Sequence, residues 1–149
     1  MTVEPKIIVR YLDSEDIETI HAILSEAQEK DGEPMPSFST ANPEYIEALV
    51  KIPKTSFFGF EQYPTLASKA AIIFYTVNKR HFFLNGNKRM SVACLIIFLL
   101  LNKKELTVSQ AELTAKAEWL AKTTHPDSVH EIKEHLIKWI ESSMKDSVV

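Results

Sequence analysis

Ten consecutive apolar residues, VACLIIFLLL at positions 92–101, restrict the fold of this chain more than any other feature. A bilayer-spanning helix needs roughly 20 such residues, so this run is too short to cross a membrane. A segment that is apolar on every side belongs inside a core, and it reads as a buried helix from about Asn87 to Asn102.

The flanking sequence supplies helices able to cover it. Residues 13–32 (DSEDIETIHAILSEAQEKDG) form an amphipathic pattern: Asp13 or Ser14 can cap it, and Ile17, Ile20, Leu24 and Ala27 recur at helical spacing. Residues 7–12 suit a short strand or an extended lead-in, and residues 31–43 a loop. A short helix is predicted over 43–51, with Pro43 in its first turn. Further helices are predicted over 65–80, over 107–124 with Thr107 or Ser109 as cap, and over 125–144 through Val129, Ile132, Leu136, Trp139 and Ile140. Residues 52–64 (IPKTSFFGFEQYP) break the pattern. They are aromatic, hold Gly59 at the centre and Pro53 and Pro64 near the edges, and read as a hairpin or ordered flap. The expected fold is all-α with one small β-hairpin, as a single domain over 1–149.

Charge and cysteine content narrow the setting. A formal net charge of −3 gives no general attraction to nucleic acid or an anionic membrane, so any phosphate chemistry must be local. One cysteine, Cys94, cannot form an internal disulfide, and the first residues lack the apolar region of a signal peptide. A cytoplasmic location is expected.

The chemistry concentrates in HFFLNGNKRM, residues 81–90. Asn85, Gly86 and Asn87 tolerate turn and left-handed backbone. Placed just before a helix, such a turn gathers backbone N–H groups into a concavity, and the helix dipole adds positive charge. That combination binds phosphate. Lys88 and Arg89 oppose the dipole in the first turn, a local cost that an anionic ligand would offset. His81 stands a few residues earlier, where an imidazole could take a proton from a hydroxyl attacking the bound phosphate. The same residues also suit a plain helix-to-helix turn, with His81 packed on Phe82 or Phe83.

This stretch resembles the signature of the Fic/Doc (Fido) family: His, any residue, Phe, any residue, Asp/Glu/Asn, Gly/Ala, Asn, Gly/Lys, Arg. The specified places are His81, Phe83, Asn85, Gly86, Asn87, Lys88 and Arg89. The resemblance implies a helical bundle with a flap, and an enzyme that uses ATP with Mg²⁺ to modify a hydroxyl of a target protein. It implies that His81 is the general base and that Phe83 anchors the loop. Asn85 through Arg89 would hold the nucleotide phosphates, with Asn85 in the place of the usual acidic Mg²⁺ ligand. Fic-type AMP transferases carry Gly where this chain has Lys88 and a second Arg where it has Val92. The Asn-Lys-Arg form resembles the Doc (death-on-curing) branch. Doc toxins move the terminal phosphoryl group of ATP onto a translation elongation factor and are paired with an antitoxin. The Asn85 substitution leaves room for a module that binds nucleotide or protein without chemistry.

Other signals are weaker. In HEIKEH, residues 130–135, the two histidines are five apart and fall on different faces of a helix, which argues against zinc. His21 is expected to be a structural, partly buried histidine. SEAQEK, residues 25–30, only faintly resembles the inhibitory motif of some Fic proteins and is assigned to the first helix. A basic, aromatic RNA-binding patch at residues 78–89 is disfavoured by the overall acidity. The aromatics Phe57, Phe58, Phe60 and Tyr63 could pack in a core or dock a target.

Overall fold

The computed structural model describes residues 8–32, 34–123 and 128–148. Among them the chain forms six α-helices and two short antiparallel ribbons, the expected all-α class. The apolar run becomes α4 (Asn87–Leu101), with Met90, Cys94, Leu95, Phe98 and Leu99 all fully buried. Each such side chain contributes about 1.5–3 kcal/mol by leaving water. Complete burial also pushes the Cys94 thiol up to about 12, which makes it an inert apolar filler.

Helix α3 (Leu66–Arg80) lies along α4 and also meets α6 (Val129–Ser143). Helices α1 (Ser14–Lys30) and α5 (Gln110–Lys122) close over α4 from other sides, and α2 (Pro43–Lys51) contacts α1 and α3. Their starts follow the side-chain chemistry. Asp13 caps α1 in a reciprocal pair with Asp16, Thr65 does the same for α3 with Ser68, and Asn42 and Ser109 cap α2 and α5. Residues 8–12 run extended without pairing as a strand. The Asn102 side chain instead receives the Arg10 N–H at 2.9 Å and donates to the Arg10 carbonyl at 2.9 Å.

The expected flap is present as β1 (Ser56–Phe57) paired with β2 (Phe60–Glu61), Phe57 opposite Phe60. Its two-residue tip, Phe58 and Gly59, has positive φ at both positions, 50° and 81°, the requirement of a type I′ turn. A second ribbon was not expected. Rather than ending in helix through residue 144, the chain leaves α6 at Ser143 and forms β4 (Met144–Asp146) against β3 (Lys104–Leu106). Cross-strand charge pairs hold it: Lys145 meets Glu105 at 3.1 Å, and Lys104 meets Asp146. The expected last helix starts at Val129, and residues 125–127 lie outside the described residues. Among the described residues, no helix is long and apolar enough to cross a membrane.

Candidate functional site

Helix α3 ends at Arg80, and His81 takes a left-handed conformation (φ 50°, ψ 59°) that turns the chain out of the helix. Its side chain is exposed. The next two residues plunge inward. Phe82 packs on Tyr45 of α2, with ring centroids 5.9 Å apart, while Phe83 stacks on His21 of α1 at 4.6 Å and approaches Phe38 at 6.3 Å. Phe83 is thus held between α1 and the segment before α2, and Phe82 is buried in another direction. Leu84 and Asn85 then return to the surface, Leu84 almost fully exposed.

Gly86 starts α4 with φ 85°, a conformation that L side chains seldom adopt. Its missing Cβ also lets the flexible Met35 side chain lie close. A carbon there would lie 2.7 Å from the Met35 terminal methyl, because the segment between α1 and α2 rests on this turn. Unlike the first three helices and α5, α4 receives no side-chain cap. Lys88 and Arg89 are exposed in its first turn, where backbone N–H groups and the helix dipole favour an anion.

Asn87 behaves differently from its neighbours. It is buried, its Oδ1 accepts from the Phe83 N–H at 3.1 Å, and its Nδ2 donates to the Phe83 carbonyl at 2.7 Å. The side chain thus closes the loop on itself, like one rung of a β-ladder. Sequence reasoning placed this side chain among the phosphate contacts; the geometry engages it with Phe83 and leaves its backbone N–H in the α4 first turn.

Beside the loop lies a cleft of about 690 Å³, within the range of small-ligand sites. Asn85, Gly86, Lys88 and Arg89 form one end of it. Val92 and Ile96 continue along α4, faced by Gln28 of α1 and by Thr114 and Glu118 of α5. The cleft is cationic at the loop and mostly apolar along the helix, which suits an anionic group carried on a larger flat or apolar body. Four of the sequence-picked residues therefore meet at one cleft. His81, Phe83 and Asn87 do not line it: the first stands outside, and the other two hold the loop from beneath. The helix α5 side of the cleft was missed, because Thr114 and Glu118 look like ordinary surface positions of an amphipathic helix.

His21 supports the loop and is buried, more fully than the partial burial expected. Burial lowers its pKa, while the Pro36 carbonyl opposes the shift, and its Nε2 has no hydrogen-bond partner. A depressed folded pKa means that the unfolded chain binds the proton more readily. Stability is then fully present above the ordinary value of 6.5 and is lost as pH falls through the folded pKa. Burial and the neighbouring Lys116 also lower His135, which sits more openly on Trp119. Urea unfolding is expected to show a stability loss as pH falls below the ordinary imidazole value of 6.5, and His21→Phe should reduce that loss, since a neutral ring can keep the stack on Phe83. An equal loss in parent and variant would clear His21 of this role.

The histidines of residues 130–135 do not converge: among the described residues, no group of three or more His, Cys, Asp or Glu could hold a metal ion. His135 instead contacts Lys116, Nε2 to Nζ 2.9 Å. Residues 25–30 lie within α1, whose Gln28 reaches the cleft. The flap rings of Phe57, Phe58 and Phe60 are exposed rather than in the core.

A profile of the Fic/DOC family matches residues 11–99, from the lead-in through most of α4. Comparison with curated proteins gives no match.

Proposed function

The chain belongs to the Fic/DOC family, and on that premise we propose that it is a Doc-type transferase. In this reading it moves the terminal phosphoryl group of ATP to a hydroxyl of a protein target, a translation factor being one candidate, and acts as the cytoplasmic toxin of a toxin–antitoxin pair. The observation that carries the reading is the uncapped start of α4. Its left-handed Gly86, first-turn Lys88 and Arg89, and adjoining cleft form a phosphate cradle immediately after an exposed His81. Lys88, and Val92 in place of a second arginine, favour phosphoryl over adenylyl transfer.

The cradle orients the phosphates through the α4 N–H groups and two cations, which also stabilise charge developing on the transferred group. An acceptor hydroxyl approaches on the His81 side of the loop. Its oxygen bonds to the terminal phosphorus as the bond from that phosphorus to the bridging oxygen breaks. The proton passes to the His81 imidazole, and ADP leaves. The exposed Leu84, Phe57, Phe58 and Phe60 suit an acceptor that is itself a protein.

Asn85 is the side chain that would hold Mg²⁺. It lines the cationic end of the cleft, and an amide oxygen is a hard ligand of the right kind, though uncharged. With a single such ligand the fit is to an ion arriving with the nucleotide, which would hold most of its coordination through phosphates and water. The chemistry supplied by such an ion would be neutralisation of phosphate charge.

Asn85 also favours a second reading, a module that binds nucleotide or protein without transfer. Incubation with a bacterial lysate and ATP labelled at either the α or the terminal phosphate separates the possibilities. Label from the terminal phosphate alone is expected on a protein band. Label only from the α-phosphate would replace phosphoryl with adenylyl transfer, and no label beside measurable ATP binding would favour the second reading.

A further inference from the structure

We infer that Lys69 is a positioning residue: its ammonium clamps both legs of the β1–β2 flap to α3, so that the flap meets a protein acceptor already set. The consequence for the acceptor rests on the transferase reading above; the clamp itself does not.

Lys69 is 2% exposed, although it is a lysine in the first half of an amphipathic helix. A buried ammonium is tolerated only where it is paired and hydrogen-bonded. Its Nζ donates to the Pro53 carbonyl at 3.1 Å and to Glu61 Oε1 at 3.1 Å, and lies 5.6 Å from the centre of the Tyr11 ring. Pro53 is on the incoming leg of the flap, and Glu61 is the last residue of β2 on the outgoing leg. One cation therefore ties the two legs together and ties both to α3. Between them the legs are joined by the Gln62 N–H donating to the Thr55 carbonyl at 2.9 Å.

The aromatic rings that the clamp holds stay outside the core. Phe58 is 88% exposed and sits at φ 50°, a conformation costly for an aromatic residue, where Asn or Gly would serve a plain turn better. Phe57 and Phe60 are also exposed. An immobilised, strained apolar tip is the form of a preorganised contact, in which the ordering cost is met before the partner arrives. The same helix carries His81 at its other end. Lys69 thereby fixes the acceptor-docking element and the base on one rigid body.

Hydrogen exchange of Lys69→Met, which keeps length and fills the site with an apolar chain, tests the clamp. The Gln62 amide is expected to exchange at least about tenfold faster than in the parent, as loss of a coupled charge pair implies, with α4 and α6 protection unchanged. Glu61→Gln, altered at a half-exposed position that leaves the fold intact, should show the same change to a smaller degree. In transfer assays Lys69→Met should raise KM for the protein acceptor with ATP affinity and kcat preserved. Unchanged Gln62 exchange in both variants overturns the clamp, and an equal fall in ATP affinity overturns its assignment to acceptor positioning. Should the parent transfer nothing, the transferase reading falls, while the exchange comparison still decides the clamp.

Discussion

Replacing His81 by alanine is expected to slow transfer to the protein acceptor by about 10²- to 10⁴-fold, the usual worth of a positioned general base. The fold should persist, because the side chain is exposed and its neighbours Phe82 and Phe83 do the anchoring. One structural effect needs a control. His81 sits at φ 50°, where alanine is less comfortable than histidine. His81→Asn keeps a residue that accepts this backbone while removing the base. If His81 acts chemically, both variants lose transfer alike and both bind ATP as the parent does, since the cleft does not include this residue. If its contribution is only to turn the chain out of α3, the asparagine variant retains activity. Transfer near the parental rate in either variant removes His81 from the mechanism.

The helices and the start of the site were legible in the sequence for local reasons. Asp13, Asn42, Thr65 and Ser109 are capping residues directly before periodic apolar segments, and each does cap a helix. Asn85, Gly86 and Asn87 ahead of the central helix announced a turn at its start, and Gly59 among aromatic residues announced the flap. What could not be read depends on residues far apart in the chain. The β3–β4 ribbon joins strands of three residues each, too short and too charged to show a period-two pattern. Nothing near Gly86 says that Met35 will cover it, and nothing near His21 says that it will stack under Phe83. Lys69 looks like a solvated position until the flap folds over it.

Asn87 is the sharpest of these cases, because the signature that drew attention to it does not say what its side chain does. Replacing it by alanine would leave the Phe83 N–H and C=O without their partner in a buried setting. At about 1–3 kcal/mol for each orphaned group, the loss is about 2–6 kcal/mol. A chain of this length should then melt lower by roughly 5–20 °C. ATP affinity should fall as well, since the nest loses its shape. Asn87→Asp refines the test. An aspartate oxygen can still accept from the Phe83 N–H, but its second oxygen would face the Phe83 carbonyl, acceptor against acceptor. That arrangement favours the protonated acid and raises the folded pKa above the unfolded value of about 3.9. A raised acid pKa means that stability is lost as pH rises from the unfolded to the folded value, so the deficit against the parent should shrink as pH falls toward about 4. Asn87→Ala, with nothing to titrate, should keep a constant deficit over the same range. A side chain whose business was phosphate alone would behave otherwise: ATP affinity would drop in both variants with melting temperatures unchanged, and that outcome would overturn the structural role argued for Asn87.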